Sequence, residues 1–190
     1  MKTMKKLLPV FAFVLVAAAI VLSFFAALKA DFEGQIGTYK SIIWGCKEVD
    51  VNGHIYTIKA TTSGMVESSG IAILPFVGLI LMLVGGLGVL LVALFAKKPS
   101  AKWVILICGL IIIAGAVMQF FAMRAFARAL TTSIGKALGM SKEEIESQVQ
   151  SAIENLHKQN PKAVVSIIMG SLGCLAGVSA IGSALLADKK

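Results

Sequence analysis

The chain has 190 residues, is 57% hydrophobic with a mean hydropathy of +0.87, and carries a formal net charge of +8. A soluble domain of this size can bury a core, but it does not carry several uncharged apolar runs of about 20 residues, the length that crosses a lipid hydrocarbon layer. The basic residues flank these runs instead of gathering into a patch, so the charge reads as a topology signal and argues against a nucleic-acid footprint.

Four runs lack any charged residue: 7–28, 71–96, 103–123 and 163–187. They show no period-2 alternation, so helices are expected and a membrane β-barrel is not. Lys2, Lys5 and Lys6 precede the first run, Lys97, Lys98 and Lys102 stand in or beside the short link 97–102, and Lys189 and Lys190 follow the fourth. By the positive-inside rule these ends face the cytoplasm, with both termini inside. The longer loops, 29–70 and 124–162, then face outward, and their ten Lys/Arg nearly balance nine Asp/Glu. The first run is longer than a usual signal-peptide core and Leu28-Lys29-Ala30 is a poor cleavage site, so an uncleaved anchor spanning 1–28 is expected.

In the first outer loop, Asn52-Gly53 between two β-prone runs predicts a two-residue hairpin, pairing Val49 with Tyr56 and Val51 with His54. Residues 39–44 supply a candidate third strand, because an isolated hairpin is marginal in water. Cys46 is the only cysteine of that loop, so it is either a packed small residue or an intermolecular link. Four spans, a larger first outer loop with a hairpin and the element Trp44-Gly45-Cys46 resemble the claudin-like four-span proteins. That family's loop has a Trp-rich motif followed by two bridging cysteines, whereas this loop has one Trp and one Cys. The resemblance therefore implies topology alone.

The second run is glycine-rich, with Gly78, Gly85, Gly86 and Gly88, and Pro75 stands near its start, where a missing N–H costs least. The third run holds Gln119, its one strongly polar side chain, and is expected to continue outward as a helix through Arg124, Phe126, Arg128, Leu130, Ile134 and Leu138. Gly139 is the expected stop. Ser141 with Glu144 then reads as the capping box of a second outer helix over about 142–158. Ile145, Val149, Ala152, Ile153 and Leu156 fall within about 100° of arc on it. In the fourth run Gly170, Gly173, Cys174 and Gly177 form a stripe of small residues. Such a stripe serves either as a dimerisation seam or for packing inside the bundle.

The spans hold no Asp, Glu, Lys, Arg or His, which argues against a proton-coupled transporter, an intramembrane protease or a voltage sensor. His54 and His157 have no neighbours at metal-like spacing, and Gly85-Gly86-Leu87-Gly88 lies inside an apolar run, where it cannot cradle a phosphate. Glu143, Glu144 and Glu146 read as a solvated helix start. Arg124 and Arg128 lie at headgroup depth and read as lipid anchors or as holders of an anionic ligand.

The expected fold is an all-α membrane protein: a four-helix transmembrane bundle with a small extracytoplasmic cap, made of a β-hairpin or small sheet plus an amphipathic helix. The expected function is that of a structural or accessory subunit acting through protein contacts and not an enzyme, without cofactor or metal. Its partners would be the lipid bilayer and either copies of itself or a larger membrane complex. The partner-binding stripe would be Ile145, Val149, Ile153 and Leu156. The alternatives are an oligomeric channel or transporter for a small neutral solute, for which Gln119 would line the path, and an enzyme with an outer site at Arg124, Arg128 and His157. The Lys-rich ends, compact loops and lack of Asn-x-Ser/Thr sites suit a bacterial cytoplasmic membrane.

Overall fold

The computed structural model describes the backbone of residues 2–25, 27–32, 35–40, 48–51, 54–57, 74–95, 101–137, 139–159 and 164–186. In chain order these form α1 (Lys2–Ser23), β1 (Ala27–Phe32), β2 (Gln35–Lys40), β3 (Glu48–Val51), β4 (His54–Thr57), α2 (Leu74–Phe95), α3 (Ala101–Phe120), α4 (Ala122–Ala137), α5 (Lys142–Gln159) and α6 (Val164–Leu186). Two compact units result. One holds residues 1–21, 77–120 and 168–190, and the other residues 22–76 and 121–167.

Among the described residues three helices are long and apolar enough to cross a membrane: Pro75–Phe95, Ala101–Phe120 and Val164–Leu186. The expectation of one apolar helix over 7–28 is corrected. The helix stops at Ser23, and Ala27 and Leu28 pair with Lys40 and Tyr39 in a sheet. What is left, Leu7–Ser23, counts among the shorter apolar helices. At about 1.5 Å per residue it extends roughly 25 Å, short of a hydrocarbon core of about 30 Å. Among the described residues there are thus three long apolar helices and one shorter one, where four runs of spanning length were expected.

The first unit is packed inside out relative to a soluble bundle. Its fully buried positions include Ala12, Val16, Ala19, Val89, Ala116, Ala176 and Ala180, with Met82, Ile112, Met169 and Gln119 the largest side chains among them. Its exposed positions include Phe11, Val14, Ile80, Leu91, Phe95, Ile107, Leu110, Leu175 and Val178. Water would reject that exterior, since soluble monomers rarely expose large contiguous apolar patches, whereas lipid accepts it.

Packing fixes the direction of three helices. Gly78 meets Gly115, Gly85 meets Ile112 and Cys108, and Gly88 meets Cys108, so numbers rise on α2 as they fall on α3. In the same way Gly170 meets Phe120, Gly173 meets Ala116, and Gly177 meets Ile113 and Gly109, so α6 also runs antiparallel to α3. The C-terminal ends of α2 and α6 thus lie at the N-terminal end of α3. Val16 of α1 sits against Gly86 of α2. Buried Ser183 donates its hydroxyl to the Ala180 carbonyl at 2.7 Å, which satisfies it without another helix.

The second unit contains a four-stranded antiparallel sheet in the order β1-β2-β3-β4. β3 and β4 pair Val49 with Tyr56 and Val51 with His54, the register expected for an Asn52-Gly53 connection. The third strand is β2 at Gln35–Lys40, upstream of the expected 39–44, and it pairs Tyr39 with Val49 and Gly37 with Val51. The fourth strand, β1, comes from the end of the first apolar run. Residues 52–53 and Cys46 lie outside the described residues.

Candidate functional site

Two groups of residues carry the candidate sites, one in each unit. In the first unit, small residues bring three helix backbones together. A Cβ on Gly78 would fall 2.7 Å from the Gly115 carbonyl oxygen and 2.8 Å from Gln119 Nε2. A Cβ on Gly173 would fall 2.6 Å from Ala116 Cβ and 2.7 Å from Met82 Cε, and one on Gly177 2.8 Å from the Gly109 carbonyl oxygen. Carbon atoms in good contact stand about 3.5–4.0 Å apart, so none of these positions admits a side chain without displacing a neighbour. Gly170 is covered by the Phe120 ring. The glycines of the expected seam, Gly170, Gly173 and Gly177, are thus spent inside the chain on α3, with Met82 of α2 inserted at Gly173. Cys174 is half-buried beside them.

Of the two readings of that stripe, packing inside the bundle is the one these contacts describe: its glycine face has an occupant within the chain. Sequence reading missed that occupant. Gly109, Gly115, Ala116 and Met82 complete the crossings, and the only local sign of them was the recurrence of glycine on both runs. Gly182, at the other end of α6, has nothing within 4 Å of where its Cβ would stand. Gln119 is fully buried in this unit, beside the space that Gly78 leaves open.

In the second unit, α4 and α5 form a helical hairpin. α4 buries Ala122, Met123, Ala125, Phe126 and Ala127 and exposes Arg124 and Arg128. The single residue Phe121 separates it from α3, and the Ala125 N–H donates back to the Phe121 carbonyl at 2.8 Å. The hairpin turns at Gly139, whose φ of 71° lies in the left-handed region that favours glycine. The Met140 N–H closes the turn on the Gly135 carbonyl at 2.9 Å, the six-residue bond of a Schellman end.

α5 then opens with a reciprocal capping box. The Ser141 N–H donates to Glu144 Oε2 at 2.8 Å, and the Glu144 N–H donates to Ser141 Oγ at 3.3 Å. The bond from the Ser141 backbone, and then that with its side chain, hold the Glu144 carboxyl below the usual carboxylate range. Glu144 therefore acts within the helix end. Glu146 reaches Arg128 at 3.5 Å and Glu143 is exposed.

The stripe expected to bind a partner is partly used here as well. Gly135 of α4 receives Ile145 so closely that a Cβ there would meet its side chain, Val149 is 7% exposed, and Ile153 is half-buried. The side chains of Leu156 and His157 lie outside the described residues, as does that of His54. Among the described residues no three His, Cys, Asp or Glu side chains converge into a metal site. Arg128 is turned to Glu146, while Arg124 is exposed.

Comparison with known proteins adds no family: no protein-family model matches the sequence, and no curated protein or solved structure matches it.

Proposed function

We propose that the chain is a multi-pass integral membrane protein that acts as a structural or accessory subunit through protein–protein contacts. The observation that carries this reading is the burial pattern of the first unit, with glycine and alanine at the helix crossings and many Leu, Ile, Val and Phe side chains exposed. Three long apolar helices support the membrane setting. In the proposal α1 is a fourth, shorter span whose lysines stand at the cytoplasmic surface, and both termini face the cytoplasm. The sheet and the α4–α5 hairpin lie on the opposite side. A bacterial cytoplasmic membrane suits the short link and lysine-rich ends.

Spans without ionisable side chains favour a packing role over transport of charge. The glycine crossings that close α2, α3 and α6 on one another favour a rigid element over a mobile one. Contacts to a partner would then come from the exposed apolar faces of the spans and from the exposed face of the hairpin.

The test is the mass of the native assembly after gentle extraction from its own membrane, with co-purifying proteins identified. A defined hetero-complex is the expected result. A ring of identical chains would replace this reading with an oligomeric channel for a neutral solute and make Gln119 the first residue to change. A monomer with no companion would overturn the accessory reading.

A further inference from the structure

Among the described residues the sheet of the second unit ends in two strands with one neighbour each, β1 and β4. An edge strand carries a row of N–H and C=O groups that can pair with another chain. Which groups of β1 lie on that edge follows from its pairing with β2. Two residues separate Phe32 from its partner Gln35, and so short a connection closes on a pair that exchanges hydrogen bonds. Bonding alternates from there. Leu28, Ala30 and Phe32 bond toward β2, and the backbone groups of Lys29 and Asp31 lie on the outer edge.

A lysine on an edge strand commonly guards it against pairing. Here the lysine has an aspartate two positions further on, in the strand Ala-Leu-Lys-Ala-Asp-Phe. That order is self-complementary. When two copies of β1 run antiparallel about Ala30, Lys29 of each stands opposite Asp31 of the other, and Leu28 opposite Phe32. The two nearest registers that also pair outer-edge groups set Lys29 against Lys29 or Asp31 against Asp31, and like charges directly opposite are unfavourable. The centred register opposes unlike charges at both ends.

Residues opposite one another in the ladder share a face, so Leu28 and Ala30 lie on the face of Tyr39, Val49, Val51 and Tyr56. A two-fold axis normal to the sheet keeps that face on one side in both copies. Each copy has one β1, so the contact closes at two chains and does not propagate.

We propose that β1 is a contact between two copies of this chain, which pair antiparallel about Ala30 and join their four-stranded sheets into one. The inference rests on the sheet alone and is independent of how the spans are read. It adds a second copy to the contacts of the proposed subunit.

Charge exchange tests it, with the mass of the full chain in mild detergent as the readout. Lys29→Asp sets aspartate against aspartate, and Asp31→Lys sets lysine against lysine. Each variant alone should dissociate about tenfold more readily than the parent dimer. Mixed in equal amounts, the two variants bring unlike charges together across the contact and should form a mixed dimer as tight as the parent. A role for these residues inside one chain does not produce that rescue. Crosslinking reads the register directly. In a chain whose three cysteines are replaced by alanine, Ala30→Cys should give a disulfide-linked dimer on mild oxidation, because non-hydrogen-bonded antiparallel partners stand about 4.5 Å apart. Thr38→Cys, one strand inside the edge, should give none.

A parent chain that is monomeric and gives no Ala30→Cys crosslink would overturn the proposal and leave the membrane reading intact. Folded single variants that stay dimeric, or that show no rescue on mixing, would overturn it as well. Where a charge variant does not fold, the Ala30→Cys and Thr38→Cys pair decides: a crosslink at neither position, or at both alike, sinks the contact.

Discussion

The two units of this chain use glycine and apolar residues in opposite ways. In the first, α2, α3 and α6 carry small residues at the helix crossings and turn Leu, Ile, Val and Phe outward. In the second, the α4–α5 hairpin does what a helix in water does. It buries Ala, Met, Phe and Val, exposes Arg and Glu, and closes its turn with a positive-φ glycine and a capping box. The difference teaches that the sign of amphipathicity reports the solvent. Lipid gives no incentive to hide a leucine, so the first unit is held by close backbone approach and dispersion. Water gives that incentive, so the hairpin is held by burial of its apolar faces and by its caps.

The sharpest way to break this comparison is to fill the glycine crossings. Gly173→Ile with Gly177→Ile should destabilise the first unit by several kcal/mol, since overpacking costs about 1–3 kcal/mol at each site and both face α3. Thermal unfolding in mild detergent would read this as a large drop in midpoint or as loss of folded protein. Gly182→Ile, where the space is open, should be close to silent in the same assay. Equal effects at Gly182 and at the two crossing sites would mean that the crossings do not hold the unit. A change in oligomeric mass with an unchanged midpoint would return the stripe to the role of a seam between chains.

At the hairpin turn the expected effects are smaller and independent of lipid. Gly139→Ala forces a Cβ into the left-handed region and should cost about 1 kcal/mol, and Ser141→Ala should cost about 0.5–2 kcal/mol through the lost cap. Hydrogen exchange of the first-turn amides of α5 is the readout. Faster exchange confined to α4 and α5 is expected. Faster exchange throughout α2, α3 and α6 would contradict a local role.

What the sequence made legible follows from how local each signal is. Runs over Pro75–Phe95, Ala101–Phe120 and Val164–Leu186 have one solution in lipid, a helix, so their places could be read directly. Gly139, Ser141 and Glu144 were legible because a helix stop and a capping box are decided within four residues. The end of α1 was not, because Ala27 and Leu28 continue the apolar run and hydropathy does not separate helix from strand. Only their pairing with Lys40 and Tyr39, a contact across more than ten residues, decides the matter. The glycine stripe was visible as a capacity for close approach, but its partners Ala116, Ile113 and Gly109 lie on another helix, and nothing local to α6 names them.

Acid offers a reversible form of the cap test. The folded Glu144 carboxyl titrates below its ordinary value, because its charged form accepts the Ser141 N–H. Its contribution is therefore fully present above the unfolded carboxylate range and disappears as pH falls through the lower, folded value. Protection of the first-turn amides of α5 should decline over that acidic window, and in Glu144→Gln this decline should be absent. A decline that is the same in both proteins would assign the acid sensitivity to another carboxylate.

The smallest expected effect concerns Arg128, which pairs with Glu146 at 3.5 Å while both side chains are largely exposed. Exposed pairs of this kind contribute about 0–1 kcal/mol and weaken with salt. A double-mutant cycle with Arg128→Ala and Glu146→Ala should return a coupling in that range, reduced by added salt, with hairpin exchange as the measurement. Arg124 provides the contrast, because it shares the exposed face of α4 one turn earlier. If Arg128 is used mainly by the hairpin, Arg124→Ala and Glu146→Ala should act additively while Arg128→Ala and Glu146→Ala do not. If both arginines serve lipid phosphate instead, the two cycles should both come out additive. Reconstitution into anionic vesicles should then protect the hairpin in the parent protein and not in the Arg124→Ala, Arg128→Ala variant. That outcome would place at least the first turn of α4 at the membrane surface, because a helix whose arginines are held at headgroup depth is still answering to the membrane.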